Sequence, residues 1–307
     1  MDVRGKKIFV GLSGGVDSAV SAALLKQAGA LVTGVFIKGW YPPGMPCTWA
    51  EERRDAMRVA ARLRIPFLTL DASAEYKKSV IDYLLSEYRA GRTPNPDVMC
   101  NREVKFGAFY RFAKMHGADA IATGHYRAGE KDQSYFLWAV PKDILAQAIF
   151  PVGNFEKERV RALAKKYNLP VAEKRDSQGI CFLGSVSVKE FLEQEFGTDN
   201  PALLYTIGQK AKGGYVVAKD IEKKEIKVSK TRAEGAREIG FTGANWFQEP
   251  DSAQIFAQYR YRGPRIAGRV EEGRFISEES LLEMPAPGQS IVFYRDSELI
   301  GGGSITV

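Results

Sequence analysis

The stretch IFVGLSGGVDSAVSAALL, residues 8–25, decides how the first half of the chain is read. Ile8, Phe9 and Val10 follow the polar pair Lys6-Lys7 as a short apolar run, the pattern of a buried parallel strand. From Asp17 small and apolar residues recur at helical spacing (Val20, Ala23, Leu24), and the pattern stops at Gly29, a C-cap residue. The glycines between strand and helix therefore stand where the amides of a helix N-terminus point outward, a place that favours an anion. No lysine follows them before Lys26, which rules out a Walker A loop, and the spacing lacks the G-x-G-x-x-G of dinucleotide sites. Ser13-Gly14-Gly15-Val16-Asp17-Ser18 offers two hydroxyls and a run of amides to a pyrophosphate group, and Asp17 is a candidate to hold a metal ion bridging phosphates. Without a lysine to draw charge onto a leaving γ-phosphoryl group, cleavage at the α-phosphate is favoured. The competing reading is an N-capped helix with an incidental Gly-Gly turn.

Working outward, strands and helices alternate. LVTGVFI (31–37) reads as a second strand, followed by the loop KGWYPPGMPC. A helix runs from Thr48, where Thr48-x-x-Glu51 fits a capping box, towards Leu63. PFLTLD (66–71) is a third strand, Glu75 to Tyr88 a helix, Asn101 to Met115 a further helix, and ADAIATG (118–124) a strand. This alternation predicts an α/β domain with a doubly wound parallel sheet, whose ligands lie at the carboxyl ends of the strands, where Ser13, Ile37, Gly124 and His125 fall. After Pro151 come a basic helix (Asn154 to Tyr167), a loop, and a helix from Val188 to Phe196. Beyond Pro201 the pattern is all-β: YVVAKD and EIKVSK suit a hairpin, and IFAQYRYR, RIAGRV, QSIVFYR and IGGGSITV suit strands of a small barrel. The expected domains are 1–200, a shortened β-rich middle domain at 201–236, and a C-terminal β-barrel at 237–307.

The chain has 307 residues, 45% of them apolar and 26% charged, enough for more than one core. No segment reaches the length of a membrane span, and MDVRGKKIFV lacks the apolar core of a signal peptide. Three widely spaced cysteines argue against a disulfide-stapled secreted protein, so a cytoplasmic location is expected. The net charge of +7 is compatible with a polyanionic partner. Basic residues interleave with aromatics in AQYRYRGPR (257–265) and crowd EKKEIKVSK (222–230), although either stretch alone suits a solvated strand face equally well.

Two of the cysteines stand in chemically suggestive settings. GRTPNPDVMCNREVKFG (91–107) places Asp97 and Cys100 just before a helix, whose N-terminus favours a thiolate, with Asp97 near enough to pass a proton. In KRDSQGICFLG (174–184), Cys181 follows a glycine on a loop supplied with positive charge by Lys174 and Arg175. Cys47 precedes a helix and reads as a packing residue. Metal binding is disfavoured, because the chain has no C-x-x-C and only two histidines. An iron–sulfur cluster on Cys47, Cys100 and Cys181 is the minority alternative.

SGGVDS resembles the PP-loop of ATP pyrophosphatases. Taken with GRTPNPDVMCNREVKFG, ATGHY, KDQSYFL and DSQGICF, it closely resembles the bacterial tRNA-specific 2-thiouridylases, and YTIGQK, YRYR and PGQSIVFY extend the match. The resemblance implies that ATP, with Mg2+, adenylates the C2 carbonyl of the wobble uridine of a tRNA. A persulfide on Cys181, loaded from a cysteine desulfurase relay, then delivers sulfur. Cys100 matches the partner thiol and Asp97 the acid/base. Gly11, Leu12, Ser13, Gly14, Gly15, Val16, Asp17, Ser18, Ile37 and Gly124 match ATP-contacting positions. Asn95, Pro96 and Asp97 match target-base contacts, while His125, Lys131, Asp132, Gln133, Arg260, Tyr261 and Gln289 match tRNA contacts. No membrane partner is implied.

The sequence departs from the family in three places. Only Arg127 to Glu130 separate GHY from KDQ, the segment between Phe196 and Tyr205 is short, and GQKAKGG replaces the usual GQRKGLG. These changes touch the middle domain and the tRNA-facing surface and spare the reacting groups. Two rival functions share the loop. A PP-loop ligase for a small molecule would need neither Cys100 nor Cys181, and a tRNA-binding module retaining nucleotide as a structural ligand would release no pyrophosphate.

Overall fold

The computed structural model describes residues 2–42, 48–175, 187–232, 235–250 and 254–306. The chain divides into two compact units, Met1–Ser79 with Cys100–Ser185, and Val80–Met99 with Val186–Val307. The middle sheet and the barrel thus fall in one unit, together with a segment borrowed from the first half of the sequence.

The first unit is built on a five-stranded sheet of order β3-β2-β1-β4-β5. Its strands are β1 (Lys7–Gly11), β2 (Leu31–Lys38), β3 (Phe67–Asp71), β4 (Ala120–Ala122) and β5 (Ala148–Ile149), all paired in parallel. The apolar run at the start of the chain is central because both its edges are used: Ile8 stands opposite Val32 on one side and Ala120 on the other. Ile8 and Val10 are fully buried, each stabilising by roughly 1.5–3 kcal/mol relative to exposure. The strand order reverses at β1, so a crevice opens at the carboxyl ends of β1 and β4. The helices α1 (Val16–Gln27), α2 (Trp49–Leu63) and α3 (Lys157–Lys166) share one core with the sheet through Val20, Ala22, Val59, Val160 and Ala164. Among the described residues no helix is long and apolar enough to cross a membrane.

Two local expectations are corrected. Thr48 caps α2 only through its backbone, and its hydroxyl bonds the Glu52 carboxylate at 3.2 Å, so there is no capping box with Glu51. The helix expected from Asn101 begins earlier: one α-turn over Pro96–Met99 runs into a π-helical segment over Cys100–Ala108 and then α-helix over Phe109–Met115. Cys100 is therefore inside the helical run, one turn from its start, and fully buried.

In the second unit, β6 (Lys210–Ala211), β7 (Gly214–Asp220) and β8 (Glu225–Ser229) form an antiparallel three-stranded sheet, the expected hairpin extended by one short strand. A closed barrel of order β10-β11-β12-β9-β14-β13 follows, from β9 (Glu238–Trp246), β10 (Ile255–Gln258), β11 (Ile266–Glu271), β12 (Arg274–Ser277), β13 (Ser290–Arg295) and β14 (Glu298–Ile305). Its interior is aromatic, with the Phe293 ring in contact with those of Phe241, Trp246 and Phe275. The run Gly301-Gly302-Gly303 has a packing cause: a Cβ on Gly303 would stand 2.7 Å from the Phe241 ring.

Candidate active site

The loop between β1 and α1 is organised by its own hydroxyls. The Ser13 and Ser18 hydroxyls lie 3.2 Å apart, the Ser18 hydroxyl donates to the Gly15 carbonyl at 3.2 Å, and the Gly15 amide donates to the Ser13 hydroxyl at 3.3 Å. Gly15 is the N-cap of α1 and brings no side chain to cap it. Among the described residues no side chain of the N-cap closes this end of α1, so its first-turn amides face outward, as an anion site at a helix N-terminus requires. Two further glycines make the cradle. Gly14 has φ +76° and packs on the Glu52 carbonyl of α2. A Cβ on Gly124, just past β4, would stand 2.8 Å from the Ser18 nitrogen. Ile37, near the end of β2, reaches to 4.0 Å from where a Cβ of Gly11 would be. The structure therefore gathers Gly11 to Ser18, Ile37 and Gly124 at the carboxyl ends of β1, β2 and β4, where Gly14 lets the loop close on α2 and Gly124 lets the end of β4 close on the first turn of α1. This fits a nucleotide phosphate chain.

Sequence reasoning missed two residues here. Lys157, on α3, places its ammonium 2.7 and 2.9 Å from the two carboxylate oxygens of Asp17. The Tyr126 hydroxyl donates to the same carboxylate at 2.6 Å, and the lysine lies 5.8 Å from the Tyr126 ring centroid. Lys157 is only 8% exposed. The carboxylate proposed for a metal ion is thus already satisfied by a cation and a hydroxyl. No group of three or more His, Cys, Asp or Glu side chains able to hold a metal occurs among the described residues. These residues do not fit a resident Mg2+.

Tyr126 also ties down the segment that carries expected tRNA contacts. Its amide donates to the Gln133 side-chain carbonyl at 3.1 Å, and the Gln133 amide donates back to the Tyr126 carbonyl at 3.0 Å. The Asp132 carboxylate accepts from the Ser134 amide at 2.8 Å, so Lys131, Asp132 and Gln133 sit on a closed loop. His125 is buried, with Nδ1 2.8 Å from the Thr123 hydroxyl and its ring packed against those of Phe106 and Phe150, which also touch each other. Burial first, and Lys105 second, push its pKa well below the usual 6.5, so the imidazole is neutral. Beyond β5 a cleft of about 390 Å3 is lined by Arg127, Ala148, Ile149, Phe150, Gly153 and Asn154, with the exposed Arg127 guanidinium 5.3 Å from the Phe150 ring centroid.

The second unit holds the remaining sites. The Asn95 side-chain carbonyl accepts from the Asp97 amide at 3.1 Å and the Val98 amide at 3.4 Å, capping the turn that begins at Pro96. The loop before it is fastened to the barrel. The Thr93 amide donates to the Pro287 carbonyl at 2.7 Å, and the Gln289 side chain donates to the Thr93 carbonyl at 2.9 Å. Arg260 pairs with Glu283 at 3.0 Å and also donates to the Ile207 carbonyl, pinning the YTIGQK loop. Tyr261 lies under the Arg262 guanidinium, 5.2 Å from it. Cys47 and Cys181, with Asp176, Ser177, Gln178 and the rest of the DSQGICF motif, fall outside the described residues.

Fold and loop together define a protein with a parallel α/β domain, whose first helix offers an anion site at its N-terminus, and a C-terminal β-barrel. Family profiles agree: a "tRNA methyl transferase HUP domain" matches residues 6–185 and an "Aminomethyltransferase beta-barrel domain" matches residues 236–305. The chain is 38% identical to a tRNA-specific 2-thiouridylase of Akkermansia muciniphila, covering 97% of this chain and 98% of that one. It is 37% identical to the namesake of Streptococcus thermophilus (97% and 95% covered) and 33% to that of Flavobacterium johnsoniae (98% and 100%). The chain belongs to the tRNA-specific 2-thiouridylase family. Among solved structures, a 4-thiouridine synthetase in complex with RNA and ATP aligns at a TM-score of 0.40 and 19% identity, over 64% of this chain and 51% of that one, too loosely to carry an argument.

Proposed function

We propose that the protein is a tRNA-uridine 2-sulfurtransferase that replaces the C2 oxygen of the wobble uridine by sulfur, releasing AMP and pyrophosphate. The carbonyl oxygen is a poor leaving group. Attack of that oxygen on the α-phosphorus of ATP expels pyrophosphate and turns it into part of a good one, AMP. Sulfur then attacks C2, and the C–O bond breaks. The observation that carries this reading is the gathering of the Ser13–Ser18 loop, Ile37 and Gly124 around a helix N-terminus that no side chain caps. In this reading Cys181 carries the persulfide, loaded by a protein of a cysteine desulfurase relay in the cytoplasm, and Cys100 is the second thiol. Asp97 serves as proton donor and acceptor, and Asn95-Pro96-Asp97 meets the flipped base. Mg2+ arrives with ATP rather than residing on the protein.

An anticodon loop suits recognition base by base, because its bases can be splayed out and stacked on aromatic or guanidinium planes. Lys131, Asp132, Gln133, Arg260, Tyr261 and Gln289 are its proposed contacts, and His125, which is buried, is proposed to act through the adjoining segment rather than by touching the base. Arg127 over Phe150 offers a further stacking platform. The test is pyrophosphate release on adding tRNA to protein and ATP. Wild type should release it, and Ser13→Ala and Asp17→Ala should not. Release by Asp17→Ala at the wild-type rate would overturn the assignment of the loop.

A further inference from the structure

The loop that holds the phosphates contains no lysine, yet a buried ammonium stands at its edge. We propose that Lys157 is the phosphate-binding cation of the reaction, delivered from α3, held in place by Asp17, and acting on the pyrophosphate as it leaves. This inference deepens the proposed use of ATP and rests on it.

Three observations carry it. Asp17 lies in the first turn of α1, where unsatisfied amides face outward, so a group bound to its carboxylate is at the phosphate site itself. The ammonium meets both carboxylate oxygens, at 2.7 and 2.9 Å, while the Tyr126 hydroxyl at 2.6 Å shares one of them. Finally, the side chain is almost wholly buried although it carries a charge, and its stem leaves α3 in line with the buried Val160 and Ala164. Such a lysine loses little freedom on meeting a ligand.

The ammonium can exchange one of its two contacts with Asp17 for a phosphate oxygen and keep the other. When the bond between the α-phosphorus and the bridging oxygen breaks, the electron pair stays on pyrophosphate. A fixed positive charge beside it stabilises that charge without proton transfer, and such stabilisation is worth most where it is preorganised. Asp17 is then a positioning residue. Its carboxylate keeps the Lys157 ammonium aimed before ATP arrives, which explains why a negative side chain stands at an anion site.

The competing explanation is that Lys157 only neutralises Asp17. Calorimetric titration of the purified full chain with ATP, with inorganic pyrophosphate and with adenosine separates the two. Lys157→Met should weaken ATP and pyrophosphate about tenfold or more, the loss of one charged hydrogen bond, and leave adenosine within about twofold. Lys157→Arg should recover part of the pyrophosphate affinity. The double variant Asp17→Asn with Lys157→Met removes both charges, so it leaves no buried ion unpaired and keeps the fold. It should remain as weak for pyrophosphate as Lys157→Met. Recovery of wild-type affinity in the double variant, or a parallel loss for adenosine, would overturn the role of Lys157. Failure of the wild-type protein to bind ATP or pyrophosphate at all would instead remove the ATP reading, and this role with it.

Discussion

Replacing Gly14 by alanine tests whether the phosphate loop is shaped by its contact with α2. The residue has φ +76°, where an L side chain costs roughly 1–2 kcal/mol. An added Cβ would also press into the Glu52 carbonyl oxygen, with the carbonyl carbon at 3.2 Å and Asp55 Cβ at 3.3 Å. Neither backbone atom belongs to a flexible side chain that could swing aside, so an overpacking penalty of about 1–3 kcal/mol is added. The sum is roughly 2–5 kcal/mol. Gly117→Ala is the internal control: its φ is +77° and nothing lies within 4 Å of the new Cβ, so it carries the conformational penalty alone. Urea unfolding followed by circular dichroism should rank the two variants, with Gly14→Ala the less stable by more than about 1 kcal/mol. If the loop shifts instead of the unit unfolding, the same free energy appears as a loss of ATP affinity of more than about tenfold, measured by calorimetry. Equal stabilities for the two variants, together with wild-type ATP affinity in Gly14→Ala, would refute the reasoning.

Three further outcomes are expected. The folded pKa of His125 is depressed, so the unfolded chain takes up a proton near pH 6.5 that the folded chain refuses; its contribution is complete above that pH and is lost as pH falls below it. Between pH 7.5 and 5.5 the wild type should lose more stability than His125→Gln, by on the order of 1 kcal/mol, and equal losses would contradict a neutral buried imidazole. Phe150→Ala should weaken binding of an anticodon stem-loop by roughly 1–3 kcal/mol while leaving the slope of affinity against salt unchanged, whereas Lys131→Ala should flatten that slope; unaltered affinity in Phe150→Ala would remove the stacking platform. Cys181→Ser should release pyrophosphate with tRNA and ATP yet accept no labelled sulfur from a desulfurase, while Cys100→Ser should accumulate label on Cys181 without forming 2-thiouridine. Label on Cys100 in the wild type would reverse these roles.

The phosphate loop was legible because its parts are consecutive and because strand, glycine turn and helix follow one another within Ile8 to Leu25. The ion pair that completes it was not, since Lys157 lies 140 residues from Asp17. A signal was present nevertheless. Lys157 stands three and seven residues before Val160 and Ala164, so a lysine sits on the apolar stripe of a helix read only as basic. The prolines before Cys100 read as loop in the sequence, which sets Cys100 outside its helix. Asn95 before Pro96 is in fact a cap followed by a proline at the first helical position, which marks a start. The strand Glu238–Trp246 escaped notice because two glycines interrupt its alternation, and tertiary pairing with β12 and β14 decides it instead. The surface contacts expected of Gln289 and Arg260 could not be separated by sequence from the internal bonds both make, because one polar side chain reads alike in either use.

The most direct measurement is mass spectrometry of nucleosides from tRNA incubated with the purified protein, ATP, Mg2+ and a sulfide source. The account predicts that uridine at the wobble position becomes 2-thiouridine, gaining the mass difference between sulfur and oxygen. It further predicts that the product is absent without ATP and in Ser13→Ala. Pyrophosphate released with no thiolated nucleoside formed, or thiolation that proceeds without ATP, would contradict it.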